Sequence, residues 1–140
     1  MKLTKLFGAI ALFGSMIATA HASTVVTVNV KNSTSSPAAY TYEYFAGSVN
    51  PTPCTIAPSA TGTFKLTSGS ELVSGMRFVY TSGSKQCRFA ASHTVNPMTG
   101  VPTFTKTGTS IGSTRATCNA TITGIKPSSP FDYTVNFEIK

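Results

Sequence analysis

Asp132-Tyr133-Thr134-Val135-Asn136-Phe137-Glu138-Ile139-Lys140 is the stretch that decides the fold. Neighbouring side chains on an extended chain point to opposite faces, so Tyr133, Val135, Phe137 and Ile139 share one face. Asp132, Thr134, Asn136, Glu138 and Lys140 share the other. This is the pattern of a half-buried strand. The same alternation appears in Val26, Val28 and Val30 against Thr27 and Asn29. Between these two ends lie strand-like runs near 38–46, 62–67, 71–81, 85–92, 101–106 and 115–123, about eight strands in all.

Turn chemistry separates the runs. Thr-Ser-Gly-Ser occurs at 67–70 and again at 81–84. A glycine just before each following run supplies the positive φ of a tight turn, so both copies read as hairpins and 62–92 as a three-stranded meander. Asn50-Pro51-Thr52-Pro53, Asn96-Pro97-Met98-Thr99-Gly100 and Lys126-Pro127-Ser128-Ser129-Pro130 read as loops, because proline has no donor for a central ladder. The expected fold is all-β: one antiparallel two-sheet β-sandwich, immunoglobulin-like or jelly-roll-like, with a partly open barrel as the runner-up. Abundant Ser, Thr and Gly with few charges favour strands and turns over helices.

The first residues read differently. Lys2 and Lys5 precede the apolar run Leu6 to Ala20, and Ala20-His21-Ala22 closes it, the pattern of a secretory signal peptide. It resembles a bacterial one in its short basic start and Ala-x-Ala ending. The expected division is therefore a cleaved signal peptide at 1–22 and a β-sandwich domain at 23–140, secreted or periplasmic. The apolar run is shorter than the roughly 20 residues of a membrane span, and no later segment approaches that length, so no integral membrane segment is expected after cleavage. Removing Lys2 and Lys5 from the formal charge of +7 leaves about +5. The remaining Lys and Arg residues are scattered, with no run dense enough to track a phosphate backbone, so specific nucleic-acid binding is not expected. Electrostatics would favour an acidic partner surface.

Three cysteines, Cys54, Cys87 and Cys118, allow one intramolecular disulfide and leave one thiol over. Cys87 aligns with Phe89 and Ala91 on the apolar side of its run. Cys118 aligns with Ala116, Ala120 and Ile122, so Cys87–Cys118 is the favoured pair and Cys54 the free or intermolecular thiol. Pairing of Cys54 with Cys87 stays open on sequence distance alone. Catalysis finds little support: His93 is the single histidine after the leader, read as exposed or hydrogen-bonded at a strand end, and the carboxylates lie far apart. The cysteine and histidine spacing shows no zinc pattern, and no glycine loop precedes a helix, so neither metal nor cofactor is expected.

The strongest functional suspects are Tyr40, Tyr42 and Tyr44, which alternate in Tyr40-Thr41-Tyr42-Glu43-Tyr44-Phe45 and would fall on one face at about 7 Å intervals. Such rings join an apolar body to a hydroxyl, a combination suited to sugar rings, lipid interfaces and protein contacts. Asn32-Ser33-Thr34 and Asn119-Ala120-Thr121 match the glycosylation sequon, which matters only in a host that glycosylates. Ile56-Ala57-Pro58 with Gly62-Thr63-Phe64 resembles the loop-to-strand element of aegerolysins, small secreted β-sandwich proteins. Their lipid binding is not carried over, because their richer aromatic and acidic pattern is missing. The alternation from Tyr133 to Ile139 is similar to the closing strand of chaperone-usher pilins, which are disulfide-linked incomplete sandwiches.

The leading expectation is thus an exported, non-enzymatic binding or adhesion module for a glycan, lipid or protein surface. The alternatives are a fibre subunit whose segment Thr24 to Lys31 pairs with a neighbour by β-augmentation, and a small effector enzyme.

Overall fold

The computed structural model describes residues 21–140, so the expected leader lies outside the described residues except for His21 and Ala22. Nine strands run in order: β1 (Val25–Asn32), β2 (Ala39–Phe45), β3 (Gly47–Asn50), β4 (Thr61–Ser68), β5 (Val73–Ser82), β6 (Lys85–Val95), β7 (Pro102–Ser110), β8 (Cys118–Thr123) and β9 (Tyr133–Ile139). They form a five-stranded sheet, β3-β4-β1-β9-β8, facing a four-stranded sheet, β2-β5-β6-β7. This is the two-sheet β-sandwich that the alternating pattern predicts. Neighbouring named strands pair antiparallel with one exception, β1 with β9, which run side by side in parallel in the middle of their sheet.

Burial follows the period of two. Val26, Val28 and Val30 of β1 and Val135, Phe137 and Ile139 of β9 face the opposing sheet and are buried. Their partners from the other side are Met76, Phe78, Tyr80, Cys87, Phe89 and Ala91. Phe78 is the hub, with ring centroids of Phe137, Phe64, Phe45 and Phe89 at 5.5, 5.6, 5.9 and 6.0 Å. Aromatic pairs at such separations add about 0.5–1.5 kcal/mol each beyond the area they bury.

Both seams between the sheets are tied. At one, the chain leaves β2 and enters β3 of the opposite sheet within two residues. Gly47 makes the crossing at φ 143°, where an added Cβ would overlap the Thr67 carbonyl oxygen. This extra strand is why the count is nine where about eight were expected: the kink and the proline-rich segment behind it concealed β3. At the other seam Cys87 of β6 and Cys118 of β8 are disulfide-bonded, with Cα atoms 5.6 Å apart. A Cβ on Gly108 of β7 would overlap the Cys118 carbonyl oxygen, so a glycine that reads as a strand breaker sits inside β7 and lets the two backbones approach. β7 consequently runs past the expected end at 106 to Ser110.

The two Thr-Ser-Gly-Ser copies differ. At 81–84 the chain makes the expected hairpin, with Gly83 at φ 60° between paired Ser82 and Lys85. At 67–70 it does not. Ser68 bonds to Thr24 beside β1, the Ser68 hydroxyl turns onto the Ser70 carbonyl, and residues 69–72 carry the chain across to the other sheet. The expected three-stranded meander over 62–92 is therefore corrected: β5 and β6 form a hairpin, while β4 belongs to the facing sheet.

Candidate binding face

The three candidate tyrosines do not share a face. Tyr40 pairs with Tyr80 and Tyr42 with Phe78, but the register then slips, and Tyr44 pairs with Arg77. The extra residue is Glu43. A bulge of this kind places two residues opposite one and reverses the facing of the residues beyond it. Tyr40 consequently packs inward, 5.8 Å from the Tyr80 ring and 6.1 Å from Phe78, and burial raises the pKa of its hydroxyl, with Tyr42 adding to the effect. Tyr42 lies over the β2 edge against Phe45, at 5.7 Å. Tyr44 alone turns onto the outer face, half exposed at 50%.

The bulge also sets the charges of that face. Glu43 accepts from Arg88 Nε at 2.9 and 3.0 Å and from Arg88 Nη2 at 2.7 Å, and its second oxygen lies 2.8 Å from Arg77 Nε. Hydrogen bonding from Arg88 holds the Glu43 carboxyl below its ordinary range against the opposing effect of burial, with the Coulomb attraction of both arginines and Arg77 hydrogen bonding assisting. One carboxylate thus fixes two guanidiniums, leaving a net charge of +1 on the outer surface. Both arginine side chains are about half exposed, at 57% and 44%.

Beside this cluster lies a shallow trough of about 290 Å³. Gly75 and Ala90 form its floor because neither carries a side chain long enough to fill it. The Tyr44 Cε1 atom stands 3.5 Å from where a Gly75 Cβ would be, so the ring rests on bare backbone. On the far side β7 presents Thr103, Thr105, Thr107 and Thr109 outward in alternation, all exposed. The Thr105 and Ser92 hydroxyls bond to each other at 2.6 Å. Of these residues only Tyr44 was singled out by the sequence. The alternating threonines of Thr103-Phe104-Thr105-Lys106-Thr107 were the available signal for the rest, but only strand register places Arg77, Gly75 and Ser92 beside them.

A larger concavity, about 610 Å³, lies over the outer face of the five-stranded sheet. Its asparagines and its carboxylate are already engaged. Thr63 Oγ1 donates to Asn29 Oδ1 at 2.8 Å, Asn29 Nδ2 to Asn136 Oδ1 at 2.9 Å, and Asn136 Nδ2 to Thr123 Oγ1 at 3.2 Å. Glu138 accepts from Ser33 at 2.6 Å and Asn119 at 3.0 Å, which with nearby Lys140 and Lys31 lower its pKa against the effect of burial.

His93 is buried, with no exposed surface, so of the two expected states, exposed or hydrogen-bonded near a strand end, the hydrogen-bonded one is found. Its Nδ1 lies 2.7 Å from Ser74 Oγ and its Nε2 3.2 Å from the Glu71 carbonyl oxygen. The carbonyl can only accept, so Nε2 carries the proton and Ser74 donates to Nδ1. Tyr133, 3.0 Å from Ser74 Oγ, donates to it in turn. Phe104 stacks on the imidazole at 5.7 Å. Burial lowers the His93 pKa, partly offset by the Glu71 carbonyl. A serine and a histidine do meet here, but both are sealed in the core with no carboxylate bonded to the ring. Among the described residues, no group of three or more His, Cys, Asp or Glu is placed to hold a metal ion.

Cys54 is free and exposed in the loop after β3. Its carbonyl accepts from the buried Tyr80 hydroxyl at 3.0 Å. Desolvation, with smaller contributions from Cys54 and Tyr40, pushes that hydroxyl far above its ordinary pKa. Among the described residues, no helix is long and apolar enough to cross a membrane.

The fold and the open face of its four-stranded sheet define the protein as a small disulfide-tied β-sandwich. The chain matches no protein-family model, and no curated protein is detectably similar to it.

Proposed function

We propose that the protein is an exported, non-enzymatic binding module that holds a surface ligand on the outer face of its four-stranded sheet. The observation that carries this reading is the half-exposed Tyr44 ring resting on Gly75 and paired across the strands with Arg77, at the wall of an open trough. An aromatic wall, a small-residue floor, fixed hydroxyls and a guanidinium offer apolar contact and directional polar contact together. The disulfide fits an oxidising compartment, and the basic, apolar, Ala-x-Ala leader pattern supports export.

The fibre reading is less well supported. Segment Thr24 to Lys31 would have to leave β4 on one side and β9 on the other before pairing with a neighbour. The enzymatic reading rests on His93, which is enclosed.

Tyr44→Ser tests the proposal. On arrays of glycans, lipids and extracellular proteins, the wild-type hit should be lost with Tyr44→Ser while thermal stability changes little. Tyr40→Ser should instead lower stability, because its ring packs against Phe78 and Tyr80. A hit that survives Tyr44→Ser places the ligand elsewhere and refutes the assignment of this face.

A further inference from the structure

We infer that the Tyr44 trough takes a sugar residue bearing a carboxylate, so that the ligand is an acidic glycan. This rests on the proposed function and specifies its ligand. Tyr44 offers a ring of the kind that the apolar C–H face of a pyranose can cover, with a floor shallow enough to admit it. The volume is at the small end of ligand sites, which suits one or two sugar rings better than an extended lipid.

Charge selects the acid. Arg77 lines the trough and no carboxylate does; Glu43 stands behind it, already shared between Arg77 and Arg88. Glu43 pairs with Arg77 at Nε, leaving the terminal N–H groups for a second carboxylate. A planar fork of this kind matches a carboxylate better than a point charge would. On the opposite side the bonded Ser92–Thr105 hydroxyl pair and exposed Thr107 supply donors and acceptors at fixed positions, as sugar hydroxyls require. The net positive charge of the chain, +7 with its leader, steers anionic polymers toward any face. The trough gives the attraction a place to become specific.

The test is isothermal titration of the oxidised protein without its leader, at about 0.15 M salt, with acidic oligosaccharides of galacturonate, glucuronate, mannuronate and sialic acid. Each is run beside its uncharged methyl ester. At least one acid should bind, its ester should bind at least about tenfold more weakly, and Tyr44→Ser and Arg77→Gln should each cost about tenfold or more. Acid and ester binding equally, with Tyr44→Ser still abolishing both, overturns the acidic ligand and keeps the site. Binding that is indifferent to Tyr44→Ser overturns both. So does binding matched by inorganic polyphosphate and lost on raising salt, since that is charge attraction alone. If no acid in the panel binds, the inference fails, while the array test with Tyr44→Ser still decides the face.

Discussion

On the five-stranded sheet Asn29, Asn136, Thr63 and Thr123 bond to one another, whereas on the four-stranded sheet Tyr44, Arg77 and the β7 threonines face solvent around a Gly75–Ala90 floor. The first face has the larger concavity and the second the smaller. Volume therefore does not rank them. On the first face a ligand reaching Asn29, Asn136 or Glu138 must break side-chain hydrogen bonds that already exist, while on the second Tyr44 and the terminal nitrogens of Arg77 stand without such partners. Where the polar atoms are committed is what distinguishes the two faces.

The largest effect should come from the core the two faces share. Phe78→Ala removes the hub ring and should cost about 3–5 kcal/mol in chemical denaturation. Both faces should be lost in one transition. If the four-stranded sheet alone melted, the faces would be independent and the comparison between them would lose its common frame.

A smaller loss is expected on the self-bonded face. Asn136→Ala removes one acceptor from Asn29 and one donor from Thr123 and should cost about 1–2 kcal/mol. Ligand affinity at Tyr44 should not change. A drop in affinity with stability intact would move the site to the five-stranded sheet.

Acid probes the interior chain through His93. The unfolded chain protonates near its ordinary pKa of about 6.5, while burial makes the folded protein resist protonation to lower pH. The unfolded state then binds more protons, so stability falls as pH drops below about 6.5 and levels off below the folded pKa. Glu43, Asp132 and Glu138 are held below their ordinary values and add a second loss in stronger acid, as pH falls through their folded pKa values. Melting temperatures read from about pH 7.5 to pH 5 should decline in the wild type and stay flat in His93→Gln. A wild-type curve already flat across that range would show that the imidazole is not held neutral.

The smallest effect is the sharpest test of the floor. A Cβ at Gly75 would meet Tyr44 at an ordinary contact distance of 3.5 Å. Gly75→Ala should therefore fold with equal or greater stability, by up to about 1 kcal/mol, since glycine within a strand carries an entropic cost. It should also make the trough shallower and weaken binding. Stability and affinity moving in opposite directions is the signature expected of a glycine kept for the site.

The strands with strict alternation were legible in the sequence because burial enforces a period of two: β1 and β9 follow Val26-Val28-Val30 and Tyr133 to Ile139 residue by residue. The disulfide was legible for the same reason, since Cys87 and Cys118 both continue apolar faces. The features that escaped were decided by partners far away in the chain. The identical Thr-Ser-Gly-Ser segments differ because Ser68 finds Thr24 while Ser82 finds Lys85. The tyrosine row was misread because the bulge at Glu43 is stabilised by Arg77 and Arg88, which lie on two other strands. A single inserted residue reverses every face after it, and nothing within Tyr40 to Phe45 announces it.

The parallel pairing of β1 with β9 has a mechanical consequence. Because the first and last strands run in the same direction, the start of β1 and the end of β9 lie at opposite ends of the domain. Tension applied between those points pulls the strands along their length, in shear. The ladder from Val26–Tyr133 to Asn32–Ile139 must then give way as a whole instead of unzipping bond by bond. A sandwich loaded between those two points resists with its whole central ladder at once.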